Sequence, residues 1–184
     1  MLTSFSKILE KVIQVRLLDH LHKNNIVSKE WYGFRMGFTT ENAVYKLIND
    51  VSNALNNKQI VGGIFCDLTK VFDCVVHDIL ILKMENYGVI GKGEELFQSY
   101  IKGRYQVLLD NKTNHNTMVL NWARIKHGVP QGSVLGPTLF LLYVNDLPAV
   151  TNKKAIPLLF ANDTSILIIT LWNSIRILKQ FLEM

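Results

Sequence analysis

Asp67 and Asp163 each stand where an apolar run meets a polar corner. Gly63-Ile64-Phe65-Cys66-Asp67-Leu68 is apolar up to its carboxylate. Leu158-Leu159-Phe160-Ala161-Asn162-Asp163-Thr164-Ser165 enters as an apolar run, turns through a short polar corner and leaves as Ile166 to Ile169, the pattern of a β-hairpin presenting Asp163 at its turn. Two buried strands that deliver carboxylates to one place supply the hard oxygen donors a divalent cation requires, and such a site serves phosphoryl transfer. The two aspartates are therefore expected to meet at one end of a short antiparallel sheet. Their carboxyl groups should lie about 4–8 Å apart, able to share ions about 3.5–4 Å from one another. Taken singly, an aspartate at a strand end more often serves a turn or a cap. Asn162 places a neutral amide where such a site would hold a second corner carboxylate.

The elements that must position these residues follow from periodicity. Residues 4–23 carry Ile8, Leu9, Val12, Ile13, Leu17 and Leu21 at helical spacing, ended by Asn24-Asn25. Residues 25–40 are irregular. Thr40 can cap a second helix whose apolar face is Ala43, Val44, Leu47, Ile48, Val51, Ala54 and Leu55. Ile60 to Leu68 reads as a buried strand. His77 to Tyr87 and Glu94 to Lys102 read as helices, and Tyr105 to Leu109 and Thr117 to Lys126 as strands around an Asp110-Asn111-Lys112 turn. Gly128-Val129-Pro130-Gln131-Gly132 is a loop. It leads to a helix with Pro137 in its first turn and Pro148 just past its end, then the hairpin and an amphipathic segment from about Trp172 to Leu182. Strands do not alternate regularly with helices, so the fold class is α+β in a single unit.

Composition narrows the classes. The chain has 184 residues, 48% of them hydrophobic, enough for a core, and a formal net charge of +5. A mild positive charge suits a nucleic-acid partner and equally suits an ordinary solvated surface. Two cysteines, Cys66 and Cys74, make no disulfide framework, and neither has a CxxC partner for zinc. Cys66, inside an apolar run, is expected in the core. No signal peptide opens the sequence and the apolar runs are too short to span a bilayer, so an intracellular chain, in cytoplasm or nucleus, with no membrane partner is expected.

Three blocks give the chain a family resemblance. Gly63-Ile64-Phe65-Cys66-Asp67-Leu68-Thr69-Lys70-Val71-Phe72-Asp73 with Val76-His77-Asp78-Ile79-Leu80, then His127-Gly128-Val129-Pro130-Gln131-Gly132-Ser133-Val134-Leu135-Gly136-Pro137, then Phe160-Ala161-Asn162-Asp163, stand in order along the sequence. They resemble the catalytic motifs of the reverse transcriptase domain of non-LTR, jockey-like retrotransposons. Phe5-Ser6-Lys7-Ile8-Leu9-Glu10-Lys11 and Tyr32-Gly33-Phe34-Arg35 resemble that family's fingers region.

The resemblance implies a right-hand polymerase palm, a short antiparallel sheet backed by helices, with partial fingers and no thumb. It divides the chain into about 1–60 (fingers), 61–170 (palm) and 171–184 (start of the next palm segment). The implied chemistry is RNA-templated DNA synthesis with two Mg²⁺ ions, an RNA template, a DNA primer and deoxynucleoside triphosphates. Asp67 and Asp163 would be metal ligands and catalytic residues, with Asn162 the degenerate third position. Phe72 would lie under the incoming sugar, facing the cleft, or else pack as ordinary core. Gln131 and Gly132 would contact nucleotide and template, the glycine allowing close backbone approach. Arg35 would touch phosphate or base, or be a plain surface arginine. Asp73, His77 and Asp78 read as structural. Met36 and Phe38 replace basic residues of relatives, and Val71 an alanine. An amide at position 162 that costs roughly 3–5 kcal/mol of transition-state stabilisation slows the reaction about a hundred- to several-thousandfold. Weakened metal binding and an impaired enzyme are therefore expected, or a non-catalytic nucleic-acid-binding remnant of a mobile element. An artefactual Asn162 in a longer active enzyme is the other alternative.

Overall fold

In the computed structural model the described residues are 4–33, 35, 37–67, 70–106, 109–110, 118–119, 122–130, 132–151, 155–160 and 163–171, with backbone alone at 67, 106, 109, 110, 118, 119 and 171. Helix α1 (Ser4–Lys23) and helix α2 (Thr40–Asn56) precede strand β1 (Gln59–Asp67). A 3-10 turn (Val71–Asp73) leads to helices α3 (His77–Asn86) and α4 (Lys92–Ile101). Short strands β2 (Tyr105–Gln106), β3 (Leu109–Asp110), β4 (Met118–Val119) and β5 (Ala123–Arg124) follow. Helices α5 (Gly136–Val144) and α6 (Leu147–Val150) lead to the hairpin of β6 (Ile156–Phe160) and β7 (Asp163–Leu171).

The main sheet has the order β1-β7-β6, antiparallel throughout. Gln59 faces Leu171 and the pairing runs without a bulge to Asp67 facing Asp163, while Phe160 faces Asp163 from the other side. Directly opposed residues share a face, so positions 67, 163 and 160 form one row, and Phe65, Ser165 and Leu158 the next row on that face. Cys66, Thr164 and Leu159 belong to the opposite face. There Leu159 and Thr164 are buried, and Leu159 joins the core with Trp31. The outer edge of β6 is closed by the segment before α2: Leu159 donates its N–H to the Glu30 carbonyl (3.0 Å) and accepts from Tyr32 (2.8 Å). Covering an edge in this way blocks pairing with other chains.

Helix α5 is apolar around its whole circumference, and Gly136, Thr138, Leu139, Phe140, Leu141 and Leu142 are all buried. Such a helix belongs inside a protein. It packs among Leu80, Ile81 and Met84 of α3, Phe97 and Ile101 of α4, and Leu17 and Leu21 of α1. The Asn145 side chain at its end donates to the Ile26 carbonyl (2.8 Å) and accepts from the Ser28 N–H (2.9 Å), fastening the loop after α1.

Several expectations need correction. Strand β1 is not buried: it is the edge of its sheet, Phe65 is 69% exposed, and Cys66 is exposed rather than in the core. An apolar run does not distinguish a central strand from an edge strand that other elements cover only in part. The cap of α2 is Thr39, whose hydroxyl accepts from the Asn42 N–H while Asn42 reaches back, a capping box. Pro148 lies beyond α5 as expected but opens α6. The expected pair of strands at 105–126 is broken into β2 against β5 and β3 against β4, with residues 111–117 outside the described residues. The segment from Trp172 to Leu182 also lies outside them.

The inner face of α1 is rotated from the expected one. Ile8, Leu9 and Val12 are exposed, whereas Glu10, Leu17 and Leu21 are buried. Polar partners inside decide this, as described below.

Leu139 is fully buried at the centre of the core and Ile90 is 67% exposed. Leu139→Ala is expected to cost about 2–5 kcal/mol in urea denaturation, and Ile90→Ala less than about 0.5 kcal/mol.

Candidate functional site

The row of positions 67, 163 and 160 lies at the hairpin end of the sheet. Asp163 is exposed, as is Phe65 on the edge strand one row away on the same face, whereas Leu158 of β6 in that row and Leu167 of β7 in the row beyond are buried. The face is therefore open at Asp163 and along the β1 edge, and closed over β6 and further along β7. Backbone pairing places Asp67 opposite Asp163, as the two apolar runs lead one to expect. The Asp67 side chain and residues Ala161 and Asn162 lie outside the described residues, so the carboxyl separation and the corner itself do too. Among the described residues no group of three or more His, Cys, Asp or Glu side chains is placed to hold a metal. Cross-strand aspartate positions at an open sheet end nevertheless suit a hard divalent cation, which takes carboxylate oxygens and keeps several waters.

Beyond β1 the chain turns through Lys70, whose φ is +56°, into the 3-10 turn that carries Phe72. The Phe72 ring lies 5.1 Å from that of Phe140 in α5. It is partly exposed, but it engages the core that it was expected to face away from. Val71 packs against the same core.

The loop after His127 is fastened to this turn. Gly128 donates to the Val75 carbonyl (2.7 Å) and Val129 to the Phe72 carbonyl (2.8 Å), and Val76 bridges to His127. Gly128 has φ +91°, and a Cβ there would sit 2.9 Å from Asp73 Cα and 3.0 Å from the Phe72 carbonyl oxygen. Only glycine allows this approach without displacing backbone. Further along, Ser133 donates its N–H to the Pro130 carbonyl (3.2 Å), closing a turn in which Gly132 has φ +74°. The Ser133 hydroxyl also donates to that carbonyl (2.7 Å) and accepts from the Gly136 N–H (2.9 Å) at the start of α5. A Cβ at Gly132 would meet nothing within 4 Å, so this turn offers open backbone to an incoming molecule. Gln131 lies outside the described residues.

The other end of the loop rests on α1. The buried Glu10 carboxylate accepts from the Val134 N–H (2.6 Å) and from the Tyr100 hydroxyl (2.9 Å). One turn on, Gln14 donates to the Val134 carbonyl (3.0 Å) and to Thr138 Oγ1 (3.1 Å). A buried carboxylate must find such donors, and the Val134 N–H lies just before the N-terminus of α5, where negative charge is also favoured. Glu10 and Gln14 escaped the sequence reading because they interrupt an apolar stripe. Their spacing of four, continued by Leu17 and Leu21, is the only signal that could have revealed them. Burial pushes the Tyr100 phenol up to about 12. The hydroxyl of Ser133 opposes this, and the hydrogen bond to Glu10 and its charge add to the rise.

Arg35 is committed internally. Its Nη1 donates to the Ser28 carbonyl (3.3 Å) and its guanidinium lies 4.4 Å from the Phe38 ring, which Tyr32 meets edge-on at 5.5 Å. Asp78, in the first turn of α3, pairs with Lys102 at 2.7 Å, and that hydrogen bond and charge hold its carboxyl below the usual range. Cys66 and Cys74 are free thiols, and no described helix is long and apolar enough to cross a membrane.

A small antiparallel sheet with carboxylate positions paired at its hairpin end, backed by helices, defines the palm of a nucleic-acid polymerase. The chain belongs to the reverse transcriptase family: the family model "Reverse transcriptase (RNA-dependent DNA polymerase)" matches residues 1–184. It is 31% identical over 180 residues to the "Probable RNA-directed DNA polymerase from transposon BS" of Drosophila melanogaster, covering 91% of this chain and 18% of that protein. It is 30% identical over 176 residues to the RNA-directed DNA polymerase from mobile element jockey of the same species, again with 91% and 18% covered. The chain thus spans about a fifth of these relatives' length. The expected likeness to jockey-like retrotransposon enzymes is borne out. The fold is shared with the telomerase of Candida tropicalis, solved in complex with a TWJ fragment of telomeric RNA (TM-score 0.64, 13% identity, 96% of this chain and 30% of that one).

Two outcomes follow from this geometry. Gly128→Ala is expected to cost about 2–4 kcal/mol, from left-handed strain plus the backbone clash. Gly37→Ala, where φ is +81° but the space is open, should cost only about 1–2 kcal/mol, both read from urea denaturation. For Tyr100, an unfolded tyrosine ionises near pH 10. The folded pKa is raised, so the stability held by the neutral phenol is complete below about pH 10 and is lost as pH rises through about 12. Alkaline unfolding of Tyr100→Phe should accordingly depend less on pH over that window than that of the native chain.

Proposed function

We propose that this chain is the palm and part of the fingers of a retrotransposon reverse transcriptase whose chemistry is RNA-templated DNA synthesis, and that this copy is catalytically impaired. About residues 1–60 are assigned to the fingers, 61–170 to the palm and 171–184 to the start of the next palm segment. One observation carries the proposal: the register that sets Asp67 opposite Asp163 at the open end of the sheet. Asp67 and Asp163 would hold the divalent cations, Mg²⁺ by family, which when bound neutralise charge on the attacking and leaving oxygens of the transferred phosphoryl group. The side of the sheet bearing Phe65 gives the primer end and the triphosphate a place to lie. Gly132 offers backbone N–H and open space to the nucleotide, with Gln131 beside it in sequence. Phe72, although leaning on Phe140, keeps an exposed portion that can limit what fits at the sugar. Arg35 shapes the fingers through Ser28 and Phe38 and is a weaker candidate for phosphate contact than its sequence position implies. RNA template, DNA primer and triphosphate are the partners, all of them intracellular.

Asn162 supports impairment. An amide oxygen coordinates without neutralising charge, so cations bind less tightly between the two remaining carboxylate positions. The same residue favours a second reading, a nucleic-acid-binding remnant without catalysis, which retains the net charge of +5 and discards the metal chemistry.

The native chain is expected to give no measurable extension of a DNA primer on an RNA template with Mg²⁺. Asn162→Asp should tighten Mn²⁺ binding, followed by electron paramagnetic resonance, by about tenfold or more, the effect of one added carboxylate worth about 1.4 kcal/mol. Asp67→Ala should abolish that gain. Robust extension by the native chain overturns the impairment. Mn²⁺ binding indifferent to residues 67, 162 and 163 overturns the metal site itself. Retained RNA binding without any such metal dependence would favour the remnant.

A further inference from the structure

Among the described residues, the loop that begins at His127 meets the segment of residues 72–77 through backbone links from Gly128 to Val75, from Val129 to Phe72, and across the Val76–His127 bridge. A further link comes from a side chain. His77 Nε2 lies 2.8 Å from the Gly128 carbonyl oxygen. A carbonyl can only accept, so Nε2 carries the proton and donates it. His77 is the first residue of α3, is 6% exposed, and reaches across 51 positions of sequence to make this bond.

The carbonyl it holds is well placed to matter. Gly128 sits with its Cα against the backbone of Asp73, in a conformation other residues avoid. Its carbonyl precedes Val129-Pro130, and the Pro130 carbonyl anchors the turn carrying Gly132. On the other side of the contact, the 3-10 turn with Phe72 follows β1, which ends at Asp67. A donor fixed to the Gly128 carbonyl therefore sets the height of the Gly132 turn relative to both Phe72 and the carboxylate row. The Val129 N–H bond to Phe72 holds one side of peptide 128–129, and the contact from the rigid, buried His77 ring holds its carbonyl on the other, so the peptide plane is fixed at both ends.

We infer that His77 is a positioning residue that locks the 128–132 loop against the Phe72 turn, and so pre-forms the surface that receives the triphosphate. It touches neither substrate nor metal and acts through Gly128. The inference rests on the polymerase reading for what the loop receives, but the clasp itself does not.

The test uses the whole chain as native protein, His77→Ala and His77→Gln, because the glutamine Nε2 can reach nearly the place of the histidine Nε2. Hydrogen–deuterium exchange is followed at the Gly128 and Val129 amides, with the amides of α4 and β7 as reference. His77→Ala is expected to speed exchange at Gly128 and Val129 about tenfold, the effect of one lost buried hydrogen bond, while the reference amides are unchanged. His77→Gln should restore most of the protection. In parallel, equilibrium dialysis with labelled dTTP and Mg²⁺ should show about tenfold weaker binding for the alanine variant and recovery with glutamine, at unchanged affinity for an RNA–DNA primer-template. Faster exchange throughout the chain would make His77 a general core residue and overturn the proposal. So would unchanged exchange at Gly128 and Val129, or a loosened loop with unaltered dTTP affinity. A native chain that binds no dTTP, with exchange at Gly128 and Val129 still dependent on His77, upholds the clasp and overturns the proposed triphosphate role of the loop instead.

Discussion

The register of β1 against β7 is the constraint on which the site depends. Side chains alternate between faces along a strand, so a slip of one residue would send positions 67 and 163 to opposite sides of the sheet. The observed register is held by what lies on the other face. Leu159 and Thr164 are buried there, and the Leu159 backbone is fixed on its outer side by Glu30 and Tyr32. Shifting β7 would expose Thr164's row and bury Asp163, a charge without a partner in the core. The core thus specifies the carboxylate row indirectly, by dictating which residues cannot face it.

A second set of contacts joins the sheet to the loop that follows His127. It is unusually dependent on backbone: Gly128 has no Cβ, and its neighbours are main-chain atoms of Phe72 and Asp73. From the far side, Glu10 and Gln14 hold Val134 at the entrance to α5. Helix α5 is buried over most of its surface and cannot move without disturbing the core. The loop is therefore suspended between a rigid helix and the turn after β1, and its open backbone at Gly132 is presented from a fixed frame. Preorganisation of this kind is what a site for positioned phosphoryl transfer requires.

The departures from the family pattern fall at positions proposed to meet substrate rather than in the frame. Asn162 removes a charge at the corner. Phe72 spends part of its surface on Phe140, and Arg35 is occupied by Ser28 and Phe38. The frame itself, from the β1–β7 register to the Gly128 contact, is intact. In the proposed reading the packing of the fold persists while the hairpin corner lacks one carboxylate.

The sequence alone determined the kinds and order of the main helices and of the hairpin. Helical spacing marked α1 and α2, alternation and a polar corner marked the β6–β7 hairpin, and Pro137 marked the first turn of α5. It also determined the meeting of Asp67 with Asp163, because a carboxylate ending one apolar run and another at a hairpin corner leave few ways to pair. What it could not determine was which face of an element turns inward when polar partners wait inside. On α1 the apolar stripe Ile8, Leu9 and Val12 faces out, and Glu10 faces in, because the Val134 amide and the Tyr100 hydroxyl repay its burial. Nor could it show that β1 is an edge, leaving Phe65 and Cys66 exposed, since an apolar run is the same whether one neighbour or two will cover it. The bond from His77 to Gly128 was equally hidden. Local pattern reports what a segment buries; only the tertiary structure, by bringing distant donors and acceptors together, decides what it is buried against.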